Sequence, residues 1–256
     1  MTALALDPVT GVRGTNSGWG RFYRVGGVAA LVVLLAGLSD VLIAFLPGAG
    51  GTGTAPGALT VIDWFTLFAD KPLLGLRNLG VLNMVTMTSM ILVGMAIYAA
   101  HRPRQQAAAA LGMILLCMGT TIYVANNTAL PMLTLSHQYA AAGEAQRSLI
   151  VAAGTGLLVR EDLTAGAYMG FLFGEAGGIL LSLVMLKGKL FSKRSAIAGM
   201  LAEGCLVIFN FFAAFLPETY GVTVMLGMVG GLLALAWMAM VAGKLFRLAR
   251  ATADEA

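Results

Sequence analysis

The chain has 256 residues, of which 59% are hydrophobic and 11% charged, with a mean hydropathy of +0.86. Ordinary soluble domains carry about 25% charged residues, so this balance argues against one and for a membrane protein. The net charge of +4 calls for no nucleic-acid partner, because basic loops held on one side of a membrane produce the same excess.

A helix needs about 20 apolar residues to cross a hydrocarbon core of roughly 30 Å. Runs of that kind lie, in chain order, at 26–47, 78–100, 107–126, 164–186, 195–217 and 221–243. They predict an all-α polytopic transmembrane bundle of about six helices over 26–243, with cytoplasmic tails at 1–25 and 244–256. The first run has no small-residue cleavage site ahead of a hydrophilic domain, so it is expected to stay as a membrane helix and not to be removed as a signal.

Lys and Arg concentrate on the cytoplasmic side of a membrane. Of the 16 here, Arg13, Arg21, Arg24, Arg102, Arg104, Lys187, Lys189, Lys193, Arg194, Lys244, Arg247 and Arg250 fall on one face of the predicted bundle. Lys71, Arg77, Arg147 and Arg160 fall on the other. Both termini are therefore expected in the cytoplasm.

Two outer connections, 48–76 and 127–163, are longer than a turn between helices requires, and both are expected to hold amphipathic segments. The first opens with "GAGGTGTAPGA" and continues as "LTVIDWFTLFADKP". There Thr60 and Asp63 have the spacing of a helix N-terminal cap, and Lys71-Pro72 ends the pattern. Its Trp64, Phe65 and Phe68 suit a helix lying along the membrane interface. The second places Leu135, Tyr139, Ala142, Leu149 and Ala153 at roughly helical spacing, as a helical hairpin or one long amphipathic helix over the outer mouth.

Within it, "LSHQYAAA" followed by "EAQR" and "AAGTGLL" resembles a large family of bacterial multi-pass membrane proteins of unknown function, over roughly Phe68 to Arg250. Gln138, Tyr139 and Arg147 carry the most specific part. The resemblance implies a helical membrane fold and a bacterial cytoplasmic membrane, and brings no reaction or catalytic residue with it.

Familiar membrane chemistries lack their residues. The two histidines, His101 and His137, are predicted at opposite ends of the bundle and cannot share a haem. Cys117 and Cys205 sit inside predicted helices as small packing groups, and Met84, Met87 and Met90, without Cys or His beside them, read as adaptable packing, not as a copper ladder. No lysine lies mid-span for a retinal, no histidine lies in a span to activate Ser39, and phosphate-binding loops and zinc-protease motifs are missing. No metal and no cofactor is expected.

What remains is a set of polar groups inside spans, costly enough in hydrocarbon to mark function or packing. Asp40 and Arg77 lie at similar depth on consecutive helices and suggest a buried ion pair, with Asn83 below it. Glu175 is near the middle of its helix, Glu203 about two turns into the next, and Asn210 two turns beyond that. Gly170, Gly174 and Gly178, at steps of four, suggest a smooth face for close helix contact beside Glu175, and Gly227 and Gly231 suggest a second. Such a face would deliver a neutral or partner-bound acid to the bundle interior. "DVLIAFLP" at 40–47 and "NFFAAFLP" at 210–217 put Asp40 and Asn210 at the same offset, a faint echo of the repeats that transporters use.

The leading functional reading is a binder or carrier of a small, largely apolar molecule, with Asp40, Arg77, Asn83, Glu175, Glu203 and Asn210 as binding residues. A metal-free lyase, isomerase or cyclase acting on an isoprenoid or other lipid is a second, with Glu175, Glu203 or Asp40 as general acid; an accessory scaffold is a third. Expected partners are the lipid bilayer, a lipid or isoprenoid ligand, and a second copy of the chain meeting it through the glycine faces.

Overall fold

Pro103 and the residues after it decide the path of the chain's longest apolar region. A computed structural model describes residues 17–44, 59–162 and 165–254. Among these there is no strand, and the helices run α1 (Ser17–Ala44), α2 (Val61–Asp70), α3 (Pro72–Asn78), α4 (Val81–Asn126), α5 (Ala129–Ala141), α6 (Glu144–Asp162), α7 (Ala165–Gly188) and α8 (Lys193–Phe215). A 3-10 turn, Pro217–Thr219, leads into α9 (Tyr220–Asp254).

Five stretches of the described chain are long and apolar enough to cross a membrane, and the second, Val81–Ala141, is far longer than one crossing needs. Gln105 breaks α4 with non-helical backbone angles (φ −141°, ψ 44°) two residues after Pro103, whose missing N–H and ring disturb the preceding turn. The arms then fold against each other. Thr120 Oγ1 donates to the Met87 carbonyl at 3.1 Å, two positions that would stand about 50 Å apart on a straight helix rising 1.5 Å per residue. Five long stretches thus contain six apolar arms.

Gly80 makes the corner before α4. Its φ of +79° is left-handed, and an added Cβ would meet the Tyr123 hydroxyl, which donates to the Gly80 carbonyl at 3.3 Å. Only glycine takes both the angle and the contact without strain. The apolar run read from residue 78 therefore begins as a helix at Val81, and Arg77 and Asn78 close the separate short helix α3.

The long helices close a ring in which α1 touches α4 and α9, α9 touches α8, α8 touches α7, and α7 returns to α4. The half of the ring beside the α4 break is filled by Val93, Ala96, Ile97, Leu181, Met185, Trp237, Val241 and Leu245, all buried. Apolar side chains such as Leu35, Leu42 and Val222 face outward and exposed, as a bundle solvated by lipid requires.

The other half is covered by α2, α3, α5 and α6, which share a core of their own around Phe65, Phe68, Ala129, Met132 and Leu158. The second outer connection divides at Ala142–Gly143 into two helices. α2 begins at a capping box, with Thr60 and Asp63 satisfying each other's backbone N–H groups at 2.8 and 3.2 Å. Asp63 accepts hydrogen bonds from the Thr60 hydroxyl and backbone, which hold its carboxyl below the usual range. Residues 45–58, which carry the Gly/Thr run and Pro47, lie outside the described residues.

At the far end the described parts of both tails are helical. α1 starts at Ser17 and α9 continues to Asp254, because Gly20 leaves room for Thr252 and Gly27 for the Phe246 ring. Arg102 lies 4.2 Å from the centroid of the Trp19 ring, tying the α4 turn to the same end.

Close packing of α4 on α7 needs glycine on both sides. A Cβ on Gly119 would fall on the Gly174 backbone nitrogen and the Gly170 carbonyl, and one on Gly177 would lie 2.7 Å from the Gly112 carbonyl. The seam is therefore Gly170, Gly174 and Gly177, whereas Gly178 faces Glu203. Steps of four advance about 40° each on a helix of 3.6 residues per turn, so a row of three such glycines rotates off its own face. On α9, Gly227 lies under the Phe209 ring and Gly230 against Cys205, but Gly231 has nothing within 4 Å of an added Cβ. The glycines expected to meet a second copy at 170–178 are thus occupied within the chain.

Candidate functional site

The helical ring and its cover border a partly open cavity of about 1110 Å³, lined by α1, α2, α3, both arms of α4, α7, α8 and α9. Drug-sized ligands occupy pockets of about 300–1,000 Å³. Its closed end is formed by Leu116, Trp237 and Met238, where the buried core begins. Toward the cover it is lined by Trp64, Leu67 and Lys71.

All six residues assigned to binding from the sequence, Asp40, Arg77, Asn83, Glu175, Glu203 and Asn210, border this one space. They come from five helices. Local sequence explains three of the positions: α1 carries Asp40 one turn before its end at Ala44, Lys71-Pro72 starts the short helix that presents Arg77, and the Gly80 corner precedes the first turn of α4, which carries Asn83.

Arg77 Nε donates to Asp40 Oδ1 at 2.8 Å, a terminal guanidinium nitrogen donates to the Asp40 carbonyl at 2.8 Å, and the other donates to Asn78 Oδ1 at 2.9 Å. The Arg77 side chain is 10% exposed and that of Asp40 38%. The pair clamps α1 to α3 with its carboxylate toward solvent.

Deeper in the cavity Asn210 donates its side-chain amide to Glu175 Oε1. Glu175 Oε2 is buried and has no hydrogen-bond partner among the described residues. Glu203 is also buried and lies within electrostatic reach of Glu175, in the space that Gly178 leaves: a Cβ there would be 2.7 Å from the Glu203 carboxyl carbon. Two carboxyl groups thus lie within electrostatic reach of each other on one cavity wall, with one amide donor and, among the described residues, no basic side chain paired with either. Met87 and Met90 form part of the wall, flexible thioethers that adapt to shape.

Sequence reasoning missed the aromatic lining: Trp64, Phe171, Phe209, Tyr220 and Trp237 come from four helices to the same cavity. It also missed that Asn210 serves Glu175. Residue count gave no signal for it, since Glu175 lies ten residues inside the covered end of α7 and Asn210 only five inside that of α8.

The remaining motif residues lie elsewhere. Tyr139 packs on Phe65 with ring centroids 5.1 Å apart and Arg147 sits 5.2 Å from the Tyr139 ring, so this pair fastens the cover; Gln138 is exposed beside them. His101 is buried at the opposite end, bonded through Nδ1 to the Ile97 carbonyl at 2.9 Å and stacked on Phe191. Cys117 and Cys205 are free thiols. Among the described residues no three of His, Cys, Asp and Glu converge in a way that holds a metal ion.

No family model, no curated protein and no solved structure matches this chain.

Proposed function

We propose that this chain binds a small, largely apolar molecule in its covered cavity and moves it within or across a bacterial cytoplasmic membrane, with proton exchange at Glu175 and Glu203. The single observation that carries this reading is the convergence of the two buried acids, Asn210 and the Asp40–Arg77 pair on one largely apolar space of about 1110 Å³. Buried ionisable groups facing a cavity between membrane helices commonly mark substrate or proton paths. Six crossings with both termini cytoplasmic go with it. The folded-back arms of α4 support that count, and the basic residues near the α4 break, between α7 and α8 and along the end of α9 support the orientation. The bacterial membrane rests on the resemblance of the "LSHQYAAA" region.

One observation favours an enzyme as second reading. Glu175, with Oε2 unpartnered among the described residues, lines a site large enough for an isoprenoid, where a protonated carboxyl acts as general acid. A scaffold or a homo-oligomer built on the 170–178 glycines loses its surface, since α4 covers Gly170, Gly174 and Gly177 and Glu203 covers Gly178.

Extracts of cells and medium, with and without the gene, separate the first two. A carrier changes the distribution of a compound at constant total, whereas an enzyme changes one compound into another. Glu175→Gln should abolish either effect while the protein accumulates normally, and full function in that variant rejects both acid roles. Reporters after Arg250 and near Lys189 should be cytoplasmic and one near Ala145 external; a cytoplasmic signal at Ala145 rejects the six-crossing arrangement.

A further inference from the structure

We propose that the cavity's ligand is a protonated amine on an apolar, preferably aromatic body, with its ammonium group seated between Glu175 and Glu203. This deepens the binding role above and rests on it.

Charge comes first. Among the described residues, those lining the cavity include the acids Asp40, Asp63, Asp70, Glu175 and Glu203, but only Lys71 and Arg77 as bases. Arg77 is already matched by Asp40 at 2.8 Å, and Lys71 stands exposed at the covered end. The closed end is therefore acidic without a cation of its own. Like charges in a low-dielectric interior repel strongly, and a cation between two carboxylates relieves that repulsion where a neutral hydroxyl does not.

Hydrogen bonding narrows the class. Glu175 is 5% exposed, lines the cavity, and keeps one oxygen unpartnered while Asn210 fills the other. A buried acceptor without a donor is costly. An N–H of an ammonium group supplies that donor in its charge-assisted form, which a quaternary ammonium cannot. The rest of the surface suits the rest of such a molecule: Phe171, Phe209, Tyr220 and Trp237 are among the lining residues, aromatic groups of a kind that attracts both cations and other rings, and Met87 and Met90 are flexible enough to adapt around a ligand.

The test uses the full chain in lipid nanodiscs, with empty nanodiscs subtracting partition into lipid. Three probes share one body: phenylbutylamine, its trimethylammonium analogue and phenylbutanol. The amine is expected to bind about tenfold more tightly than the alcohol, with the quaternary ion between them. Glu175→Gln, and independently Glu203→Gln should the first variant fold poorly, should remove the preference for the amine and leave the alcohol unchanged.

Binding of the alcohol within about twofold of the amine overturns the ammonium assignment and leaves the cavity reading intact. A preference that survives in the folded Gln variants overturns the seat at the acids. Gly231→Leu reaches into the cavity from a position with no neighbour within 4 Å of its Cβ and should abolish binding of all probes. Undiminished binding there moves the site out of the cavity and overturns the binding reading as well, as does failure of every probe to bind.

Discussion

The Asp40–Arg77 clamp makes an asymmetric prediction. Arg77 is 10% exposed and Asp40 38%, so the two single truncations strand charges in different surroundings. Asp40→Ala leaves a guanidinium buried without its counter-charge, although two of its three hydrogen bonds remain, to the Asp40 carbonyl and Asn78. Stranding a buried partner costs about 3–5 kcal/mol, and the surviving bonds put this case at the lower end, about 3 kcal/mol. Arg77→Gln leaves a carboxylate that water reaches at the covered end of the cavity, at about 1 kcal/mol for the lost hydrogen bonds. The double change strands nothing and should cost no more than Arg77→Gln. At about 2–4 °C per kcal/mol for a chain of this size, Asp40→Ala should lower the detergent melting temperature by about 6–12 °C, and adding Arg77→Gln should restore most of that loss. Fluorescence-detected size exclusion after heating reads all three variants. Additive losses in the double variant, or a larger loss for Arg77→Gln than for Asp40→Ala, would refute the reasoning.

Gly119→Ala puts a methyl group onto the backbone of Gly170 and Gly174, which can yield only by separating α4 from α7, and should cost about 1–3 kcal/mol as overpacking. Gly204→Ala, with nothing within 4 Å, should be neutral or stabilise by up to about 1 kcal/mol through helix propensity; equal melting temperatures for the two variants would dissolve the seam. The Thr60–Asp63 cap carries a pH signature. Because its hydrogen bonds hold the folded Asp63 carboxyl below its unfolded value of 3.8, its contribution is complete above that pH and is lost as the pH falls through the folded value. Hydrogen exchange in α2 should therefore gain an acid-dependent opening below about pH 4 that Asp63→Asn shifts or removes, and an unchanged pH profile in Asp63→Asn would exclude the cap as its source.

Length and polarity along the chain are enough to establish some features, because water and hydrocarbon act on each segment separately. Membrane class and helical content follow from composition. The positions of the long apolar arms, the turn near Pro103, and the punctuation at Thr60, Asp63 and Lys71-Pro72 follow from local chemistry that a side chain imposes on its own backbone. The Asp40–Arg77 pairing was also legible, since helix rise converts residue number into depth and opposite charges at one depth on consecutive helices have few other partners. Rotation about each helix axis was not legible: in a bundle apolar inside and out, no polar face tells which side turns inward. That is why Gly178 left the glycine seam to Gly177 and became the space for Glu203, and why Gly231 opened onto the cavity while Gly230 took the helix contact. Only tertiary packing brought Asn210 to Glu175, lined the cavity with aromatics from four helices, and folded two distant outer connections into one cover around Phe65 and Tyr139. Each of those outcomes depends on helices that do not adjoin in sequence, and the contacts that decide them exist only once the ring has closed.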